Sequence, residues 1–104
     1  MEIDTVLSTF RSKAEELYGP RLKNIILYGS WARGQATEDS DIDLAIILAG
    51  DVAAGKEIDR IIDVITDLNL FWGVLISVFP VSEKDYLTLN SPLLINLRKE
   101  GISA

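Results

Sequence analysis

Gly29-Ser30-Trp31-Ala32-Arg33-Gly34, then five residues, then Ser40-Asp41-Ile42-Asp43-Leu44: this stretch decides how the rest of the chain is read. Directly before it lies Asn24-Ile25-Ile26-Leu27-Tyr28, a short apolar run rich in β-formers that predicts a buried strand. A glycine just past a strand lets the backbone turn sharply and lets a ligand come close to the main chain. Ser30 is placed to cap a short helix over Trp31 to Arg33. The first N–H groups of such a helix, with the Ser30 hydroxyl, make an anion site suited to triphosphate oxygens. Arg33 can add a bidentate contact to a phosphate.

Asp41 and Asp43 stand two apart at the start of a second apolar run, Ile42 to Leu48, which predicts a second strand. Alternation along a strand puts both carboxylates on one face and turns Ile42 and Leu44 toward the core. Two carboxylates side by side repel unless a cation lies between them, and a divalent ion that also bridges phosphates meets that need. The chain has no Cys and no His, so the donors are oxygens and the metals they suit are Mg²⁺ or Mn²⁺. Taken singly, a Gly-Ser is most often a turn, an Asp-x-Asp a solvated surface and an Arg a surface charge. Their order on a strand-turn-strand frame is what makes them specific.

The flanks extend this frame. Ile3, Val6, Leu7, Phe10, Ala14, Leu17 and Tyr18 recur at helical spacing and stop at Gly19-Pro20. Ile58, Ile61, Ile62, Ile65 and Leu68 mark a second amphipathic helix, with Glu57, Arg60, Asp63 and Asp67 on its polar side. Val74 to Val81 reads as a third strand, with Trp72 at its start in the core or on its rim. Ser82 with Asp85 opens a short helix, Ser91-Pro92 opens the last one and Gly101 closes it. The expected fold is α/β (α+β), a single domain over residues 1–104 with a small mixed sheet of about three strands flanked by helices.

On these residues the chain resembles the minimal nucleotidyltransferases of the DNA polymerase β-like superfamily, whose signature is Gly-Ser-x-Ala-Arg-Gly followed by Ser-Asp-x-Asp-Leu. The resemblance implies transfer of a nucleoside monophosphate from an NTP, here ATP, to a hydroxyl group. It gives Gly29 and Ser30, with Arg33 and Ser40, to the phosphates, and Asp41 and Asp43 to metal binding and catalysis. Small members of this group are often antitoxins that partner a HEPN-domain toxin, and some adenylylate a tyrosine on it. About 60 residues follow Leu44 and the second helix and third strand take up nearly half of them, so little is left for a substrate domain and the acceptor surface is expected on another protein.

One position departs from the pattern. Active members carry a third carboxylate on the third strand, where this chain has Ser77. A serine ligates Mg²⁺ weakly and is no base at neutral pH. The nearest acids are Asp67, Glu83 and Asp85. The alternative reading is therefore a catalytically weak or inactive antitoxin that neutralises its toxin by binding. A nucleotide sensor and a small-molecule nucleotidyltransferase are lesser alternatives. Trp31, in the variable position of the motif, either serves the structure or has a functional part, stacking on a base or meeting a partner.

Composition bounds the rest. The 104 residues carry a formal charge of −6 and no basic block, which argues against direct nucleic-acid binding. So small a chain buries a modest fraction of its surface, so a permanent partner or a homo-oligomer is expected to help. No signal-peptide pattern or membrane-length apolar run is present, so the expected location is cytoplasmic.

Overall fold

The computed structural model describes residues 2–104. Helix α1 spans Ile3–Tyr18 and passes through a 3-10 turn, Gly19–Arg21, into strand β1, Leu22–Tyr28. Strand β2 is Ile42–Leu48, helix α2 Ala54–Trp72 and strand β3 Ile76–Ser82. Helices α3, Glu83–Thr88, and α4, Pro92–Glu100, lead to a short strand β4, Ile102–Ser103. The strand order is β3-β2-β1-β4. β2 pairs antiparallel with β1 and parallel with β3, and β4 is antiparallel to β1. The parallel pair requires a crossover connection, and α2 supplies it.

β2 is central, and Ile42, Leu44, Ala45, Ile46, Ile47 and Leu48 are all buried. Its apolar run fits a strand covered on both faces. Ile25, Leu27, Ile42, Leu44, Ile46, Leu48 and Ile76 meet Val6, Phe10 and Ala14 of α1 and Ile61, Ile65 and Leu68 of α2. On the other face Ile26, Ala45, Ile47 and Val81 meet Leu94 and Leu97 of α4. Each such Leu, Ile or Phe stabilises the fold by about 1.5–3 kcal/mol through removal from water. The Ser82 hydroxyl accepts from Asp85 N–H and the Ser91 hydroxyl from Leu94 N–H, so both expected helix caps form.

Several expectations need correction. The sheet has four strands rather than about three, because Ile102 and Ser103 pair with Leu27 and Ile26. Two residues after a helix carry no period that a sequence reading could detect. Gly101 does cap α4, but in an extended conformation (φ −67°). A Cβ there would collide with the Ile26 side chain and the Leu97 carbonyl, so it is lack of space that demands glycine. The third strand starts at Ile76, since α2 runs on through Trp72 and stops at Gly73. Val74 and Leu75 form the link, held by Val74 N–H to Asn69 O and Ile76 N–H to Asn69 Oδ1. Leu17 and Ile62 are exposed despite their helical spacing.

The largest departure is Glu57, placed on the polar side of α2 by periodicity yet only 3% exposed. Its Oε2 accepts from Arg21 Nη1 at 3.2 Å and its Oε1 pairs with Arg60 Nε at 3.5 Å. Arg21 also donates to the carbonyls of Ala49 and Asp51, tying β2's exit loop to the start of α2. Tyr18 donates to the Glu57 carbonyl, and burial together with the nearby Glu57 charge pushes its phenol up to about 12.

β3 is an edge strand that resists further pairing. Asn69 occupies its Ile76 N–H, and Pro80 has no N–H to offer. Among the described residues no helix is long and apolar enough to cross a membrane.

Candidate active site

The two halves of the signature meet at one end of the sheet. β1 delivers Gly29 at its last step, and β2 begins at Ile42 between the two aspartates. Tyr28, Asp43 and Ser77 form one row across β1, β2 and β3, since Asp43 pairs with both of the others. All three side chains are on the α4 face, because the flanking Leu27, Ile42, Leu44, Ile76 and Val78 face the opposite core. Leu94 and Leu97 of α4 cover Ile26, Ala45 and Ile47 and leave the Asp43 end of this face open.

Gly29 is held at φ +74°, a conformation that other residues adopt rarely. A Cβ on it would also overlap the Asp43 carboxylate. The turn is therefore seated directly on the acidic group, and glycine is required both for its backbone angle and for its lack of a side chain.

The short helix expected after Ser30 does not form. Residues 30–34 make tight turns, closed by Arg33 N–H to Gly29 O, Gly34 N–H to Trp31 O and Gln35 N–H to Ser30 O. The flanking glycines, both at positive φ, bend the chain too tightly for a regular helix. The consequence for anion binding survives the change. Among the described residues, the N–H groups of Ser30, Trp31 and Ala32 donate to no protein acceptor, which leaves three adjacent donors beside the carboxylates.

Trp31 packs against the core, and its indole N–H donates to Ser40 O at 3.3 Å. This bond ties the two halves of the signature across the loop. Ser40 in turn accepts on Oγ from Thr37 N–H at 2.9 Å, and its own N–H returns to Thr37 O. Ser40 thus closes the turn that presents Asp41. Arg33 is exposed, donates to Gln35 Oε1 and lies 3.7 Å from Glu100 Oε2 at the end of α4. That approach was invisible in the sequence, because it depends on β4 anchoring the end of α4 to β1.

The electrostatics reflect the crowding of acids. Burial first, and the Asp41 charge second, hold the Asp43 carboxyl above the usual range, with Arg33 acting in the opposite direction. The Tyr28 phenol is raised by burial and then by Asp43. The strain is of the kind a cation would relieve. Among the described residues no group of three or more acidic or imidazole ligands gathers, so the oxygens that could hold an ion are the Asp41 and Asp43 carboxylates, with the neutral Ser77 hydroxyl in the same row as Asp43. Those oxygens fit Mg²⁺ or Mn²⁺ rather than softer metals.

None of the alternative acids replaces the missing carboxylate. Glu83 and Asp85 follow Ser82, which pairs with Leu48 at the opposite end of β2. At the rise of a strand this lies roughly 16 Å from the Asp43–Ser77 pair. Asp67 lines a groove with Lys13, Val64 and Leu68, on the α1–α2 side of the sheet.

Comparison with known proteins agrees with this geometry. The profile of a family described as nucleotidyltransferase domain matches residues 7–92. A Methanocaldococcus jannaschii protein provisionally named a protein adenylyltransferase is 40% identical over 84 residues, covering 81% of this chain and 78% of its own. The protein adenylyltransferase MntA of Thermococcus cleftensis is 38% identical over 45 residues, 43% of each chain. Among solved structures, a toxin–antitoxin with AMP-PNP superposes with a TM-score of 0.65 at 16% identity, over 99% of this chain and 72% of that one. A minimal nucleotidyltransferase superposes at 0.62 with 24% identity, over 98% and 95% respectively. The turn seated on paired aspartates, the mixed sheet around it and a match spanning most of the sequence lead to one assignment: the chain belongs to the nucleotidyltransferase domain family.

Proposed function

We propose that this chain transfers AMP from ATP to a hydroxyl of a partner protein, a tyrosine of a HEPN-domain toxin, and so acts as an antitoxin. The observation that carries the reading is the seating of Gly29 on the Asp43 carboxylate, which merges the phosphate-holding and acidic halves into one site. The relatives named for protein adenylyltransfer support AMP as the group moved and a protein as its acceptor.

In this reading the N–H groups of Ser30, Trp31 and Ala32, with the Ser30 hydroxyl, hold the β- and γ-phosphates. Arg33 is exposed enough to turn from Glu100 to a phosphate oxygen. Asp41 and Asp43 would hold Mg²⁺ or Mn²⁺, with Ser77 as a weak neutral donor. When bound, the ion supplies positive charge to the phosphoryl oxygens. The acceptor oxygen attacks the α-phosphorus, the bond to the bridging oxygen breaks and pyrophosphate departs. Ser77 cannot take the hydroxyl proton, which leaves the Asp41 and Asp43 carboxylates as the basic groups of the site.

Intact mass of the protein encoded by the adjacent reading frame, co-expressed with this chain, tests the proposal. One or more AMP additions are expected with wild type and none with Asp41→Ala/Asp43→Ala. A neighbour that stays unmodified while both forms protect the host from it equally would overturn the transfer reading.

A second reading has its own observation. Ser77 pairs directly with Asp43, where the family places an acid, which favours an antitoxin that acts by binding with weak turnover. Ser77→Asp separates the two. If the missing carboxylate limits the chemistry, this variant speeds AMP transfer by roughly 100-fold, a typical contribution of a positioned acid or base. An unchanged single-turnover rate would show that Ser77 is no deficit.

A further inference from the structure

Leu70, Phe71 and Leu75 are 80%, 78% and 55% exposed, at the point where α2 hands the chain to β3. Soluble surfaces scatter single apolar residues, but a cluster of large ones needs a reason. Here the cluster is rigidly built. The Phe71 ring sits edge-on to Trp72, with centroids 5.0 Å apart, and Trp72 packs on the core. Asn69 clamps both sides of the link through Val74 and Ile76. The cluster's Leu75 end reaches the strand that carries the site, since the Leu75 carbonyl accepts from the N–H of Ile42, the residue between the two aspartates, while α2 with Leu70 and Phe71 packs on the sheet face opposite the Asp43 side chain.

On the site's side the structure places acids next to the cluster, with Arg33 the cation on the far side of Asp43. No Lys or Arg occurs between Arg33 and Lys56 or between Arg60 and Lys84. Glu38 and Asp39 share a cleft with Trp72, Gly73 and Val74, and Asp41 follows them. On the far side Asp67 precedes Phe71 by one turn, and there Lys13 of α1 is the nearby cation. A second copy would bring an identical acidic rim against this one, which costs energy at every charge. A partner with an apolar centre ringed by Lys and Arg is complementary.

The geometry points to the Leu70–Phe71–Leu75 surface as the docking site for the acceptor protein, through an apolar contact ringed by basic residues, at the end of the sheet that carries the carboxylates. This rests on the proposed transfer to a partner protein and adds where that partner sits. Phe71, held by Trp72 at the centre, is the expected hot spot.

The test uses the full chain and the product of the adjacent reading frame, with affinity measured by calorimetry at low and high salt. Phe71→Asp should weaken binding by roughly 30-fold, as loss of a hot-spot side chain does. Its melting temperature and ATP affinity should not move, and Leu70→Asp gives a second readout should Phe71→Asp fold poorly. Glu38→Lys/Asp39→Lys should weaken binding and flatten its salt dependence. Leu87→Asp, on the separate α3 patch, should have no effect, and Asp41→Ala/Asp43→Ala should still bind. A partner that binds all these variants normally yet receives AMP from wild type overturns the docking surface and leaves the transfer reading standing. A partner that requires Phe71 but never receives AMP does the reverse. Failure of wild type to bind, self-association lost in Phe71→Asp, or uptake of wild type alone by phosphatidylcholine vesicles would each overturn the surface.

Discussion

Asp43→Asn is expected to reduce AMP transfer by about a thousandfold or more while leaving the fold at least as stable at neutral pH. The first effect follows from removing charge where the proposed chemistry needs it, since losing one preorganised electrostatic group commonly costs 10²–10³ in rate and, on the proposed reading, a metal donor would go with it. The second follows from the raised carboxyl of Asp43, which burial and Asp41 hold above its ordinary range. A folded-state value above the unfolded one means that the native protein binds more protons in the interval between them. Stability therefore falls as pH rises through that interval, and ionised Asp43 is a cost at pH 7. Thermal melts of wild type should show stability increasing as the pH is lowered through this window, and the Asn variant should lack that gain. Mg²⁺ with ATP should raise the melting temperature of wild type and much less that of the variant. A variant that keeps its turnover would remove Asp43 from the chemistry.

Glu57→Ala is expected to destabilise the protein by about 3 kcal/mol, the lower end for breaking a buried ion pair because Arg21 and Arg60 retain some access to water. The residue is 3% exposed and holds one arginine on each carboxylate oxygen. Truncation leaves both arginines without their carboxylate and opens a void at the junction of α1, β2 and α2. For a domain of this size each kcal/mol moves the midpoint by roughly 4–8 °C, so calorimetry resolves the change easily. Tyr18 supplies an independent readout. Its phenol, pushed up to about 12 by burial and then by Glu57, should titrate closer to its ordinary 10 in the variant. A melt within a degree or two of wild type would show that the cluster is a surface feature.

How much of this was legible beforehand differs by element. Gly29, Ser30, Asp41 and Asp43 are adjacent along the chain or separated by one short loop, so their convergence could be read from strand alternation. Ser77 was singled out by the family resemblance, which puts the third acidic position there, and only the parallel register of β2 and β3 brings it level with Asp43. The helix expected after Ser30 does not form, since the two positive-φ glycines favour tight turns over the cap pattern. Glu57 was misplaced because periodicity counts a carboxylate as polar without knowing that two arginines wait for it.

By itself, the sequence determined the family signature, the apolar central strand, the helix caps and the absence of thiol and imidazole groups, because each rests on residues close in the chain or on composition. Only the tertiary structure decided that Gly29 lies against the Asp43 carboxylate, that Arg33 reaches Glu100 through the anchoring of β4, and that Asp67, Glu83 and Asp85 stand away from the site. Those are contacts between distant parts of the chain, set by sheet register and by which face each helix covers, and no local pattern of residue types encodes them.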